Sequence, residues 1–142
     1  MDNPLKVKID STADLLLLRP LDLFVRQLVQ QLPAFANHPS DVDGIELAFN
    51  EAYTNVSRHA YKGSNNKGPI SIQIVVHSDR IEIYLEDRGV RFDPANVKTP
   101  NLDVPGEGGL GVWFIRKFMD HAVYSSCEGK NVILMTKKFP DA

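Results

Sequence analysis

Leu5, Val7 and Ile9 alternate with Lys6 and Lys8, the period of two that marks a strand with one buried face and opens the chain on an edge strand. The unbroken apolar run 15–18 fits the start of a helix from Ser11 or Thr12, which Pro20 would kink or follow with a second helix opened at its first position. Leu21, Phe24, Val25, Leu28 and Leu32 then keep helical spacing up to Pro33, and 33–39 reads as a loop. Ser40 or Asp41 caps a long helix reaching Ala60 or Tyr61, with Ile45, Ala48, Phe49, Ala52 and Val56 on its buried stripe. A turn over 62–69, rich in Gly, Ser and Asn, leads to two alternating strands, 70–76 and 81–86, joined by a hairpin turn at Ser78 and Asp79. The segment 88–108 has no sustained periodicity and contains Pro94, Pro100 and Pro105. A loop that long in a compact domain is usually functional, and here a lid is expected. A helix over 110–119 and strands over 122–126 and 132–137 complete the pattern. The fold class that follows is α+β, a two-layer sandwich of a mixed, mostly antiparallel sheet with helices on one face.

Composition narrows what such a fold could do. With 43% hydrophobic residues in 142, the chain can bury one core, so residues 1–142 are expected to form one domain. A net charge of −2 without a basic stripe excludes a broad nucleic-acid backbone site. Cys127 is the single cysteine, which excludes an internal disulfide and a multi-cysteine zinc site and fits a reducing compartment. No segment approaches the roughly twenty apolar residues needed to cross a bilayer, and 1–4 carry no basic stretch ahead of an apolar run. The expectation is a soluble, cytoplasmic protein with no direct nucleic-acid or membrane partner.

Three constellations carry candidate chemistry. On the long helix Glu51 and Asn55 are one turn apart, with Arg58 and His59 a turn further, beside the buried stripe. An amide oxygen is a hard ligand for Mg²⁺ and a carboxylate can orient or deprotonate a hydroxyl, although a solvated helix face would look the same. The strand 81–86 runs into Asp87-Arg88-Gly89, where the aspartate could accept a hydrogen bond from a purine amine or simply close an Asx turn. Gly106-Glu107-Gly108-Gly109-Leu110-Gly111 leads into a helix, and unobstructed backbone amides at a helix N-terminus attract phosphate. No Gly-Lys-Ser/Thr follows, so this is not a Walker loop, and no strand precedes it as a dinucleotide fingerprint requires.

Taken in order, these three constellations resemble a known family. Asn50-Glu51-Ala52, Thr54-Asn55 and His59-Ala60-Tyr61 are similar to the N box of the histidine-kinase-like ATPases, in particular the RsbW and SpoIIAB branch of anti-sigma factor serine kinases. Asp87-x-Gly89 with the tail Arg91-Phe92-Asp93-Pro94 resembles the first glycine box, and Gly109-Leu110-Gly111 with Ile115, Phe118, Met119 and Asp120 the second. The resemblance implies a Bergerat-type fold that binds ATP and Mg²⁺. Within it, Glu51 is the catalytic base and Asn55 the Mg²⁺ ligand, Asp87 and Gly89 form the adenine box, and Gly108, Gly109, Leu110 and Gly111 form the phosphate loop. It further implies phosphorylation of a serine or threonine on a STAS-domain anti-sigma antagonist, a sigma factor as second partner, and a homodimer. The sequence departs from the pattern where Glu107-Gly108 occupy the slots in which SpoIIAB-like kinases carry an arginine, where Arg91 replaces a Gly or Pro, and where Asn131 replaces a Thr. Arg88, Arg91 and Arg116 are candidates for the missing cation, and a catalytically silent, nucleotide-regulated binding module is the alternative.

Overall fold

The structure, a computed structural model, describes residues 4–62, 67–91 and 110–141, with Leu110 described in its backbone alone. Five strands form one open sheet: β1 (Leu5–Thr12), β2 (Pro69–Val76), β3 (Arg80–Asp87), β4 (His121–Cys127) and β5 (Lys130–Lys138). Their order is β1-β2-β3-β5-β4, which puts β1 on an edge as its alternation predicts. Every pairing among the described residues is antiparallel, in keeping with the α+β fold and mostly antiparallel sheet expected. Tight turns join β2 to β3 and β4 to β5, and such hairpins can only produce antiparallel neighbours. The β4–β5 turn is the pair Glu128-Gly129, both in the left-handed region at φ 52° and 78°, as a two-residue hairpin loop requires.

Register decides which side chains share the core. Ile72 pairs with Leu85 and Leu85 with Ile133, while Ile74, Ile83 and Met135 form the next row, and all six are buried. With a side-chain period of two, these rows make one continuous apolar face. The helices lie on it. They are α1 (Leu18–Gln31), α2 (Pro39–Asn55) and α3 (Leu110–Phe118), with short 3-10 turns at Leu15–Leu17 and Pro33–Phe35. Helix α2 packs between α1 and α3, and its stripe Ile45, Ala48, Phe49, Ala52 and Val56 joins the sheet in the core as its spacing predicts. Each such large apolar side chain contributes about 1.5–3 kcal/mol by leaving water.

The ends of the helices differ from expectation. The apolar run 15–18 begins no helix from Ser11 or Thr12, because β1 continues to Thr12 and α1 starts only at Leu18, with Pro20 in its first turn. Ser40 and Asp41 do not cap α2. Pro39 opens the helix, His38 stands before it, and no side chain caps the end. Proline is preorganised for the first helical position, where its missing N–H costs nothing. The α-helix stops at Asn55, and a single π turn, Val56–Ala60, follows, closed by Tyr61 N–H donating to Val56 O at 3.3 Å.

Candidate functional site

The polar side of α2 meets the start of α3. A Cβ placed on Gly111 would come within 2.8 Å of Glu51 Oε2 and 3.6 Å of the Asn55 amide, so glycine lets the first turn of α3 settle against both side chains without displacing the Glu51 carboxyl. Glu51 is half-buried, and its carboxyl is held above the usual carboxylate range by loss of water, opposed by Arg58. A raised carboxylate beside a helix start is suited to holding or accepting a proton.

The second part of the site comes from the end of the sheet. Asp87 pairs in register with Asn131, and Asn131 with Ser126, so the three side chains stand in one row on the core face. Asp87 is 7% exposed. Its Oδ1 accepts from Gly89 N–H and from Asn131 Nδ2–H, each at 2.9 Å, while Oδ2 takes no hydrogen bond among the described residues. Asn131 Nδ2 also donates to Gly89 O at 2.9 Å, and Ser126 Oγ donates to Asn131 Oδ1 at 2.7 Å. A buried carboxylate is tolerated only when hydrogen-bonded, and this network supplies the bonds.

Backbone contacts lock the two parts together. Val90 N–H donates to Ala60 O at 2.8 Å, and a Cβ on Gly89 would approach that same carbonyl to 2.2 Å. Gly89 is therefore required for close approach, and not for a left-handed turn, since its φ is not positive. The Tyr61 hydroxyl accepts from Arg88 N–H at 2.9 Å and donates to Pro69 O at 2.6 Å. Between these walls lies a pocket lined by Ala52, Asn55 and Val56 from the helix side and by Asp87, Asn131 and Ile133 from the sheet. Apolar sides with a few aimed polar groups suit a flat heterocycle.

A family model for the histidine kinase-like ATPase domain matches residues 13–137. The chain belongs to that family. Among curated relatives, the serine-protein kinase RsbW of Staphylococcus aureus, strains JH9 and Newman, is 38% identical over 106 residues, a stretch that makes up 68% of this chain and 65% of the relative. The match thus spans somewhat under two thirds of those RsbW proteins. The solved structure of the RsbU and RsbW domains of a Mycobacterium tuberculosis protein superposes with a TM-score of 0.66 at 16% identity, over 96% of this chain and 33% of that one, which establishes the shared fold. The chain is thus an RsbW-like member of a family of ATPases, and the family implies use of ATP.

Within this histidine kinase-like ATPase domain, Glu51, Asn55 and Gly111 converge as the sequence pattern expects, and Asp87 and Gly89 flank the same pocket. The expected phosphate-loop residues Gly108 and Gly109, the departure Glu107 and the lid expected over 88–108 fall outside the described residues, apart from 88–91. Leu110 begins α3. The His59 side chain, at the end of the N-box helix, is exposed and forms no hydrogen bond among the described residues. Arg88, Arg91 and Arg116 are all exposed. Ser126, Tyr61 and the Ala60 carbonyl were not anticipated as site components, and Asn131 was noted only as a departure. A serine near a hairpin turn carries no distinctive sequence signal, and Tyr61, though part of the N-box pattern, gives no sign there of the backbone groups that its hydroxyl joins. Among the described residues no helix is long and apolar enough to cross a membrane.

Proposed function

We propose that this domain binds ATP with Mg²⁺ in the pocket beside α2 and phosphorylates a serine or threonine of a STAS-type anti-sigma antagonist. The observation that supports the reading is the meeting of Glu51, Asn55 and the start of α3 at Gly111, a carboxylate and an amide oxygen beside a helix N-terminus. When bound, ATP supplies the transferable phosphoryl group and Mg²⁺ neutralises charge on it. Among the described residues no cluster of His, Cys, Asp and Glu could hold a metal alone, so Asn55 would share the ion with oxygens of the nucleotide. Asp87 Oδ2 would accept from the adenine amine. The first backbone amides of α3 and the loop carrying Gly108 and Gly109 would face the phosphates. Glu51 would orient the incoming hydroxyl and accept its proton, a role that its raised pKa suits near neutral pH.

The same reading places the protein in the cytoplasm, with a sigma factor as second partner. It also places a second copy on the side carrying β1 and α1, where Leu5, Leu15, Leu16, Leu23 and Phe24 are exposed, Leu16 to 87%. The second reading, a silent nucleotide-regulated binding module, is favoured by one observation, the acidic Glu107 beside the phosphate loop. Incubation with labelled ATP, Mg²⁺ and a STAS-domain protein separates the two. Phosphate incorporation that disappears in Glu51→Ala supports the kinase, whereas tight ATP binding without transfer to any STAS substrate supports the module.

A further inference from the structure

An aspartate at the base end of a nucleotide pocket does not by itself choose adenine. Both carboxylate oxygens accept hydrogen bonds, and guanine presents two adjacent donors, its ring N–H and its 2-amino group, that a carboxylate can receive side by side. Adenine presents one amino group on that edge, next to ring nitrogens that only accept. The choice depends on how many of its oxygens the protein keeps for itself.

In this chain one oxygen is kept. Oδ1 of Asp87 is occupied by Gly89 N–H and Asn131 Nδ2–H, both at 2.9 Å. Asn131 spends its other amino hydrogen on Gly89 O, also at 2.9 Å, so the same amide holds both the carboxylate and the turn behind it. Ser126 Oγ donates to Asn131 Oδ1 at 2.7 Å. The two acceptors, Asp87 Oδ1 and Gly89 O, fix the orientation of the amide, because a flipped Asn131 would turn its oxygen against both, and Ser126 Oγ then holds the Oδ1 that faces it. The three side chains share one register row, so the arrangement is carried by the sheet and not by a loop.

We infer that Asn131, held by Ser126, is a positioning residue that reduces Asp87 to a single free acceptor and thereby selects adenine over guanine. This rests on reading the pocket as an ATP site. With Oδ1 engaged, Oδ2 satisfies the one amino group of adenine, whereas a guanine edge would leave one of its two donors unpaired and buried. Loss of the Asn131 amide frees one of the two acceptor sites of Oδ1, Gly89 N–H keeping the other, and lets the carboxylate receive both guanine donors.

The test is calorimetric titration of the full chain with ATP and with GTP, each with Mg²⁺, for the parent, Asn131→Leu and Ser126→Ala, alongside thermal unfolding of each. The parent should prefer ATP. Asn131→Leu should lower the ATP-to-GTP preference about tenfold and Ser126→Ala about threefold, as expected for losing one hydrogen bond and loosening another. A purely structural role would lower the unfolding temperature and leave the preference unchanged, which overturns the inference. If Asn131→Leu does not fold, Ser126→Ala decides alone, and an unaltered preference there is equally fatal. A parent that binds neither nucleotide overturns the ATP reading itself, whereas a parent that binds both equally leaves that reading standing and removes this one.

Discussion

Replacing Asp22 with asparagine should make the fold more stable at neutral pH. Asp22 lies on α1 at 6% exposure, and its enclosed Oδ1 has no hydrogen-bond partner. Its carboxyl is pushed up from 3.8 to about 6, first by loss of water and then by the Glu46 carboxylate of α2, against smaller pulls from Asn50 and Arg19. Arg26, the nearby cation, donates from Nη1 to Asp43 and Glu46 at 2.7 Å each. The unfolded chain keeps this carboxyl near 3.8, so the folded state binds its proton more tightly. The stabilisation from that proton is complete below 3.8 and is lost as pH rises through about 6. At about 1.36 kcal/mol per pH unit the ceiling is about 3 kcal/mol, and water reaching the open cleft beside Glu46 brings the expected effect to about 1–3 kcal/mol. Asparagine keeps the shape of a protonated aspartate and offers Glu46 a donor. Asp22→Asn should therefore raise the unfolding temperature by about 3–9 °C at pH 7.5, with the gain shrinking steadily towards pH 4. Thermal melts followed by circular dichroism across that range measure it. A gain that does not change with pH, or a loss at pH 7.5, would refute the account.

Other outcomes follow from the pocket. Asn55→Ala should weaken Mg²⁺-dependent ATP binding at least tenfold, while Glu51→Ala leaves affinity nearly intact and removes transfer; equal affinity losses in titrations would show the roles misassigned. Gly111→Ala should lower phosphoryl transfer more than ATP affinity and leave the domain folded, since its methyl group would displace the Glu51 carboxyl from 2.8 Å, and comparing transfer, binding and melting temperature checks it. Burial holds the Glu51 carboxyl high and Arg58 opposes this, so phosphoryl transfer should fall as pH drops through that raised pKa. Arg58→Gln should move this acid limb to higher pH in a rate profile. Tyr61→Phe should cost about 0.5–1.5 kcal/mol in urea unfolding, because Arg88 N–H exchanges its acceptor for water.

Periodicity carried most of the fold. The stripe from Ile45 to Val56 and the alternation of β2 and β3 were readable because burial alone selects those residues. Glu51, Asn55 and Asp87 were readable because each sits in a short motif with its own local spacing. What stayed hidden depends on other forces. The start of α2 went to Pro39 because a preset backbone angle outweighed the capping preference of Ser40 and Asp41. The π turn was invisible because Val56–Ala60 continues the helical pattern and departs from it only in hydrogen bonding. Asn131 and Asp87 are 44 residues apart, and nothing local in either segment indicates that they pair.

The Glu128-Gly129 turn sits outside the pocket, yet it acts as the site's ruler. Its two residues bring Cys127 opposite Lys130 and so Ser126 opposite Asn131. Because neighbouring side chains on a strand point to opposite faces, adding or removing one residue there would present Lys130 or Val132 in place of Asn131 while leaving the ladder able to form. A glutamate held at φ 52° strains the backbone, and the pairing of β4 with β5 offsets that cost. Spacing is what this hairpin contributes to recognition, so its length should tolerate far less variation than its composition.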